Sequence, residues 1–479
     1  MTKRLISLVL CVLMIVALVG CNSNKRKIVE ITLSTEDSEA ILAAAGITLP
    51  DVEVAKGANS TIKWFSWFDG FHNYDEDEVV NTGYWTFKEK YGCEIEWVQT
   101  TFGTCHDDLA NLMLGGTPPD FYSAFNDVFP VNTIKGMFQQ VDEYIDYDDP
   151  LWSDMKDFVE KYFSFGDRHY IICCDTNFEA VMPYNRRVVE EWGFDDPAEL
   201  YYNDEWTWDK FYEMCVDFSD PDEDRFALDG WEYPNAIMDS CGITPVSLDV
   251  TTGLFKSNLD DSRLERAAEL LYNLSKNECF YHKGGNYAPR GDIGTGMKDG
   301  LVLFWPRGTW AFTGPVDSIS DVWGDIANEE IMFAPMPRDP DGDGNYYIQA
   351  QAQGYTIIKN AENPYGVALY AACERFKIVD PTVISIDERQ KKEIYLWTDE
   401  MMDMYAECKR LSEKGDNTLI EYGSGVGDNI SSVVESLKGI ARSANATTWA
   451  QAKESNYDAI EYYLDELNAL IEEHKESLE

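Results

Sequence analysis

The sequence predicts an α/β protein built on a doubly wound sheet, and three observations carry that prediction. Segments of strand and helix character alternate from Thr61 to Phe125 in the order β-α-β-α-β, the pattern of a sheet with helical crossovers. The 479 residues exceed what a single hydrophobic core serves and point to about two to four domains. With 44% hydrophobic and 13% aromatic residues, the chain can fill such cores despite 86 acidic against 39 basic side chains. The resulting net charge of −47 excludes a generic nucleic-acid binder, which needs a positive footprint.

Thr61 to Phe68 reads as the first strand. Val80, Tyr84 and Phe87 then recur at helical spacing within 79–91, and Glu94 to Gln99 alternates as a second strand. Leu109, Leu112 and Met113 share one side of a helix that ends at Gly115-Gly116-Thr117-Pro118-Pro119, and 120–125 forms a third strand. Ligands of doubly wound sheets bind beyond the strand C-terminal ends, which places Trp67, Asp69, Phe125 and Asn126 near one rim. Further on, 170–184 holds one or two strands, and Asn185 to Trp192 is helical. Thr207 is positioned to cap a helix bearing Phe211, Tyr212, Met214 and Cys215. Arg263 to Leu274 is amphipathic, and strands are expected at 301–305, 331–337 and 355–358. Helices follow from Asn363 and over Tyr457 to Leu478.

The start of the chain is of a different kind. Lys3 and Arg4 precede a charge-free run from Leu5 to Gly20, too short to span a bilayer comfortably and typical of a secretion signal. Its end, Leu18-Val19-Gly20-Cys21, resembles the lipobox of bacterial lipoproteins. That resemblance implies removal of residues 1–20 and lipid attachment at Cys21, with 21–59 as a tether in which 28–50 has room for a short element. The basic cluster Lys25-Arg26-Lys27 suits anionic headgroups.

The order of motifs along the remainder resembles the extracellular solute-binding proteins that serve bacterial ABC importers of sugars and oligosaccharides. The matching stretches are Leu114 to Asp120, Tyr184-Asn185 with its following helix, Thr207-Trp208-Asp209, Lys298 to Trp310, and Met336-Pro337 through Gly354 to Asn360. Arg186 and Arg187 stand where that family usually has lysine. The resemblance implies a two-lobed clamp of periplasmic-binding-protein type, each lobe a central sheet flanked by helices, joined by a multi-crossing hinge. Residues 60–165 and 350–400 are expected in the first lobe, and 166–349 and 401–479 in the second. It also implies capture of a carbohydrate, an oligosaccharide by expectation, and its delivery to the permease subunits by a monomer anchored on the outer face of the cytoplasmic membrane, with no cofactor or metal.

Sugars present apolar C–H faces to aromatic walls and hydroxyls to carboxylates and amides. The expected aromatic contacts are Trp67, Tyr184 and Trp310, the last matching the family's cleft tryptophan. The expected polar contacts are Asp69, Asp120 and Asn126; Asp120 alternatively caps its own turn. Arg307 is expected to pair with a wall carboxylate.

Other classes weighed against this are a non-catalytic surface adhesin or glycan-anchoring lipoprotein and a secreted glycoside hydrolase. A hydrolase needs two carboxylates about 5–9.5 Å apart across a cleft, which an acidic chain offers by chance. The five histidines, His72, His106, His169, His282 and His474, form no compact metal motif, and neither a G-x-S-x-G elbow nor a phosphate loop is present. Asp339 to Asn345 has the acidic spacing of a calcium loop, but Ala350 stands where the closing glutamate belongs, so a hairpin turn is expected. Of 11 cysteines, nine remain after Cys11 and Cys21, an odd number read as buried thiols, with Cys93–Cys105 as a disulfide alternative.

Overall fold

The computed structural model describes residues 27–51, 61–76, 78–230, 232–283, 286–287, 296–413, 418–441 and 446–478. The signal segment 1–20 and Cys21 lie outside them. No helix among the described residues is long and apolar enough to cross a membrane.

In chain order the elements that frame the molecule are helix α1 (Thr35–Thr48), strand β1 (Thr61–Ser66), α2 (Thr82–Tyr91), β2 (Glu94–Gln99), α3 (Cys105–Leu114) and β3 (Phe121–Ser123). Then come β4 (Ile172–Phe178), β5 (Met182–Asn185), α4 (Trp208–Phe218), β6 (Phe226–Leu228), α5 (Tyr233–Asp239) and α6 (Ser262–Lys276). The chain continues with β7 (Val302–Phe304), β8 (Ile331–Ala334), β9 (Ala350–Ile357), α7 (Pro364–Val379), α8 (Asp399–Ser412), α9 (Asp428–Lys438) and α10 (Trp449–Leu478).

Two sheets divide these strands. The first has the order β2-β1-β3-β9-β4, and the second β8-β5-β7-β6. In the first, β1 runs parallel to β2 and β3, while β9 is antiparallel to β3 and β4. Gly354 marks a register shift between β9 and β4; a Cβ there would meet the Ile172 carbonyl oxygen at 1.9 Å, so only glycine fits. In the second sheet β7 and β8 are fully buried apolar runs, as expected for strands covered on both faces, whereas the edge strand β2 of the first sheet alternates between exposed and buried residues. Helix α7 is buried nearly all round, since it packs on α2, β4 and β1 at once. Asn363 caps its start through the Gly366 N–H at 3.0 Å. Thr207 caps α4 as its position predicts, accepting from the Lys210 N–H at 3.4 Å. The molecule is thus a two-lobed clamp, with helices flanking each sheet.

Within 28–50, where the sequence leaves room for a short element, α1 docks on the first lobe, with Ile41 and Ala45, four apart on one face, both 0% exposed, and Asp37 pairing Arg389 at 2.5 Å. One expected boundary differs. The second lobe does not begin at 166, because β4 pairs with β9 in the first sheet along Ala350↔Phe178 to Tyr355↔Ile172. The first crossing therefore falls at Glu179-Ala180-Val181, between β4 and β5, and the second between β8 and β9. A period-two pattern shows a strand but not which sheet receives it.

The nine described cysteines are all free and buried, which excludes Cys93–Cys105 as a bond in this structure. The 339–345 stretch is a turn held by its own side chains: Asp339 accepts from Arg266 Nε at 2.8 Å and from the Asp341 N–H at 3.0 Å, and Asp343 from the Tyr347 hydroxyl at 2.5 Å.

Candidate functional site

The two crossings lie side by side. The Glu179 N–H donates to the Gln349 carbonyl at 3.0 Å, and Val181 and Arg307 exchange backbone hydrogen bonds at 3.0 and 3.1 Å. A cavity of about 120 Å³ opens beside them, lined from both lobes. Its lining includes Asn126, Glu179 and Gln349, Glu232, Asn235, Asp239 and Met336, the segment residues Glu421, Gly423 and Glu435, and Tyr347 and Ile348 from the second crossing. Helix α5 supplies Asn235, Ala236 and Asp239, its Tyr233, Ile237 and Met238 being buried in the second lobe.

Behind the wall, Lys438 is 0% exposed and pairs with Asp239 at 3.0 Å and with Glu421. Burial works against its charge, but the two carboxylates outweigh it and hold the ammonium above its ordinary range. Glu179 has no such partner. Burial pushes its carboxyl up to about 7, helped by the charges of Glu232, Glu421 and Asp239 and opposed by Lys438. Burial likewise raises Glu232 to about 7, against the pull of Arg307. Oε2 of Glu179 and Oε2 of Glu232 are buried with no hydrogen-bond partner among the described residues.

Arg307 meets the sequence expectation of pairing: its Nη1 lies 3.9 Å from Glu232 Oε2. Its guanidinium also stacks 5.0 Å from the centre of the Trp305 ring and 4.4 Å from that of Trp310. Trp310 is 58% exposed, conspicuous for so large an apolar group beside a cavity. Its indole crosses Gly308, where a Cβ would stand 2.3 Å from the indole nitrogen and 3.2 Å from the Glu179 carbonyl oxygen.

The structure separates the six sequence-predicted ligand residues. Asn126 lines the cavity and Trp310 stands next to it. Trp67 is half-buried on the first-lobe rim, 4.9 Å from the Phe125 ring that precedes Asn126. The other three are engaged elsewhere. Asp69 is turned inward to its own loop, accepting from the Tyr74 hydroxyl at 2.5 Å and contacting His72 Nδ1 at 2.8 Å. Burial alone would raise it, yet these partners hold it below the usual carboxylate range. Asp120 is 2% exposed and accepts the Lys63 and Asn363 N–H groups at 2.8 and 2.9 Å, clamping β1 to the start of α7. Tyr184 is 1% exposed inside the second sheet and donates to Asp196 at 2.5 Å. Its strand-end position is real, but its side chain faces the core.

Glu179, Glu232, Asp239, Gln349, Glu421 and Lys438 were not anticipated. The signal for Glu179 and Gln349 is their place at strand junctions that become crossings; Lys438 on amphipathic α9 carries no local signal.

Two other features hold less. A groove of about 890 Å³ between 154–162 and α8 has its charges paired internally, Arg375 with Asp154 and Lys409 with Asp175 at 2.5 Å. Cys105, His106 and Asp127 bring donor atoms within 4.8 Å of one another, the set a metal would use. His106 and Asp127 already pair at 3.0 Å, Tyr122 donates to Asp127 at 2.7 Å, and burial raises the Cys105 thiol, which favours its protonated, non-ligating form.

Residues 74–262 match the profile of the family described as bacterial extracellular solute-binding protein. None of the curated proteins matches the chain. Among solved structures, an ABC transporter solute-binding protein from Thermotoga lettingae bound with α-D-tagatose is 16% identical, with a TM-score of 0.58, covering 86% of this chain and 100% of that one. An ABC substrate-binding protein from Listeria monocytogenes in complex with cycloalternan is 13% identical, with a TM-score of 0.56 and coverage of 85% and 97%. The GacH receptor of Streptomyces glaucescens, solved unliganded and with acarbose, is 13% identical, with a TM-score of 0.55 and coverage of 84% and 98%. The family match is confined to residues 74–262, and these solved structures share the chain's two-lobed fold over about 85% of its length.

Proposed function

We propose that the protein captures a carbohydrate between its lobes and delivers it to the transmembrane subunits of an ABC importer. The observation that carries this reading is the cavity at the paired crossings, lined from both lobes by amides, carboxylates and a tyrosine. Such a site encloses a polyhydroxylated solute and releases it when the lobes separate. Trp310 and Trp67 are the aromatic platforms of this reading, and Asn126 and Gln349 its hydroxyl-binding amides. The similar structures from T. lettingae, L. monocytogenes and S. glaucescens hold tagatose, cycloalternan and acarbose, which supports a sugar-like solute. At about 120 Å³ the cavity accepts part of an oligosaccharide, so a longer chain extends past Trp310 to solvent or requires wider lobes.

Cys21 carries the lipid anchor in this proposal, holding the protein as a monomer on the outer face of the membrane. Cys21→Ala should then move the protein from the membrane fraction to the soluble one; unchanged lipid labelling of that variant refutes the anchor. The ligand reading is tested by thermal shift of the full-length chain against mono- and oligosaccharides, polyols and uronic acids. A saturable rise in melting temperature and a change in tryptophan fluorescence are expected for one glycan class, because a ligand bound only by the native state stabilises it by mass action. Cooperative melting without a shift for any member would remove the carbohydrate reading.

A further inference from the structure

We infer that the cleft is built for a glycan that carries an ammonium group, an amino sugar or an oligomer of one, in preference to a neutral or acidic sugar. The inference rests on the reading of this cavity as a carbohydrate site and specifies what kind of carbohydrate enters it.

The charge census of the wall is one-sided. Five of the lining residues are carboxylates, Glu179, Glu232, Asp239, Glu421 and Glu435, and none is a lysine or arginine. The cations behind the wall are already engaged: Lys438 lies between Asp239 and Glu421, and Arg307 leans on Glu232 and two tryptophans. Glu179 sits in the first crossing with a buried oxygen that no described donor reaches and no ion pair among the described residues. A sugar hydroxyl supplies a hydrogen bond to such a group but cannot balance the charge it carries once ionised. An ammonium supplies both, and in a site of low dielectric the charge balance is the larger effect. A uronic acid meets the same wall with like charge. Asn126 and Gln349 line the same cavity and offer amides to the ring hydroxyls, which suits a ligand that is a sugar first and a cation second. The nearby charges that set the protonation of Glu179 are Glu232, Glu421, Asp239 and Lys438; a bound cation adds an opposite charge and releases its proton.

The test is calorimetric titration of the full-length chain at pH 6.5 with β-1,4-linked glucosamine oligomers of two to four units, their N-acetylated counterparts, malto-oligosaccharides and spermidine. The amine-bearing oligomer is expected to bind at least about tenfold more tightly than its acetylated twin, which has the same ring skeleton without the charge. Glu179→Gln should erase that ratio, and Glu232→Gln, the second variant, should reduce it. Equal or tighter binding of the acetylated or malto series overturns the inference and leaves the carbohydrate reading standing. Binding of spermidine without any glycan overturns the carbohydrate reading instead. Binding of none overturns both.

Discussion

Asp120 and Glu179 are both acidic side chains withdrawn from solvent, one at the start of β3 and the other in the first crossing between lobes. Both of Asp120's oxygens accept backbone N–H groups, from Lys63 and Asn363. Glu179 keeps an oxygen that nothing described satisfies. The first is an internal tie, using charge to join strand to helix. The second is a group left for something else to complete. Burial does not distinguish a structural carboxylate from a binding one; the supply of donors around it does.

The largest effect that would sharpen this contrast belongs to Lys438, the cation behind the cavity wall. Lys438→Met leaves the Asp239 and Glu421 carboxylates buried against an apolar group and should destabilise the protein by about 3–5 kcal/mol in denaturant titration. A loss under about 1 kcal/mol would mean that the wall tolerates its carboxylates unpaired, and the contrast would break.

Asp120→Ala comes next. Two buried N–H groups lose their acceptor, for a loss of about 2–4 kcal/mol, while ligand affinity measured below the melting transition stays unchanged. A variant that folds normally yet binds weakly would return Asp120 to the ligand site.

Glu179→Gln should act in a pH-dependent way. The folded carboxyl titrates near 7, above its ordinary value of 4.5. The stability it gives the native state is therefore present below about 4.5 and lost as pH rises through about 7. The amide cannot ionise, so the variant should melt about as the native protein does at pH 4.5 and a few degrees higher at pH 8, corresponding to about 1–3 kcal/mol. Parallel melting curves across that window would show that Glu179 ionises freely.

The smallest stability effect is expected at Trp310. It is 58% exposed, so Trp310→Ala should change stability by less than about 1 kcal/mol while weakening glycan binding about tenfold. Unchanged titrations would reduce it to a stacking partner of Arg307.

Much of the fold was legible because its signals are local. The β-α-β-α-β start appears as β1, α2, β2, α3 and β3 within a few residues of the expected bounds, since periodicity and the Gly-Pro break are written in consecutive residues. The sheet membership of β4 was not legible, because its partner β9 lies some 180 residues later and pairing leaves no trace in either segment alone. The site divides similarly. Asn126, expected from its strand-end position, lines the cavity, and Trp310, expected from its motif position, stacks on Arg307 near it. Tyr184 and Asp69 share those positions but turn toward Asp196 and toward Tyr74 and His72, an outcome decided by rotamer and neighbours. Glu179 and Lys438 gain their meaning only from residues of other segments.

The nine unbonded thiols have a consequence for measuring how this clamp moves. They are spread over both lobes and over helices α7 and α8, every one shielded while the native packing holds. None is covalently tied to another, so no bond between them restrains the lobes. Each instead reports on its own surroundings: a thiol reagent reaches it only when that patch opens. Cys241, just beyond the α5 helix that lines the cleft, and Cys174, under α7, can thus be followed by mass spectrometry as separate clocks, one ticking with the cleft wall and the other with the first lobe's interior.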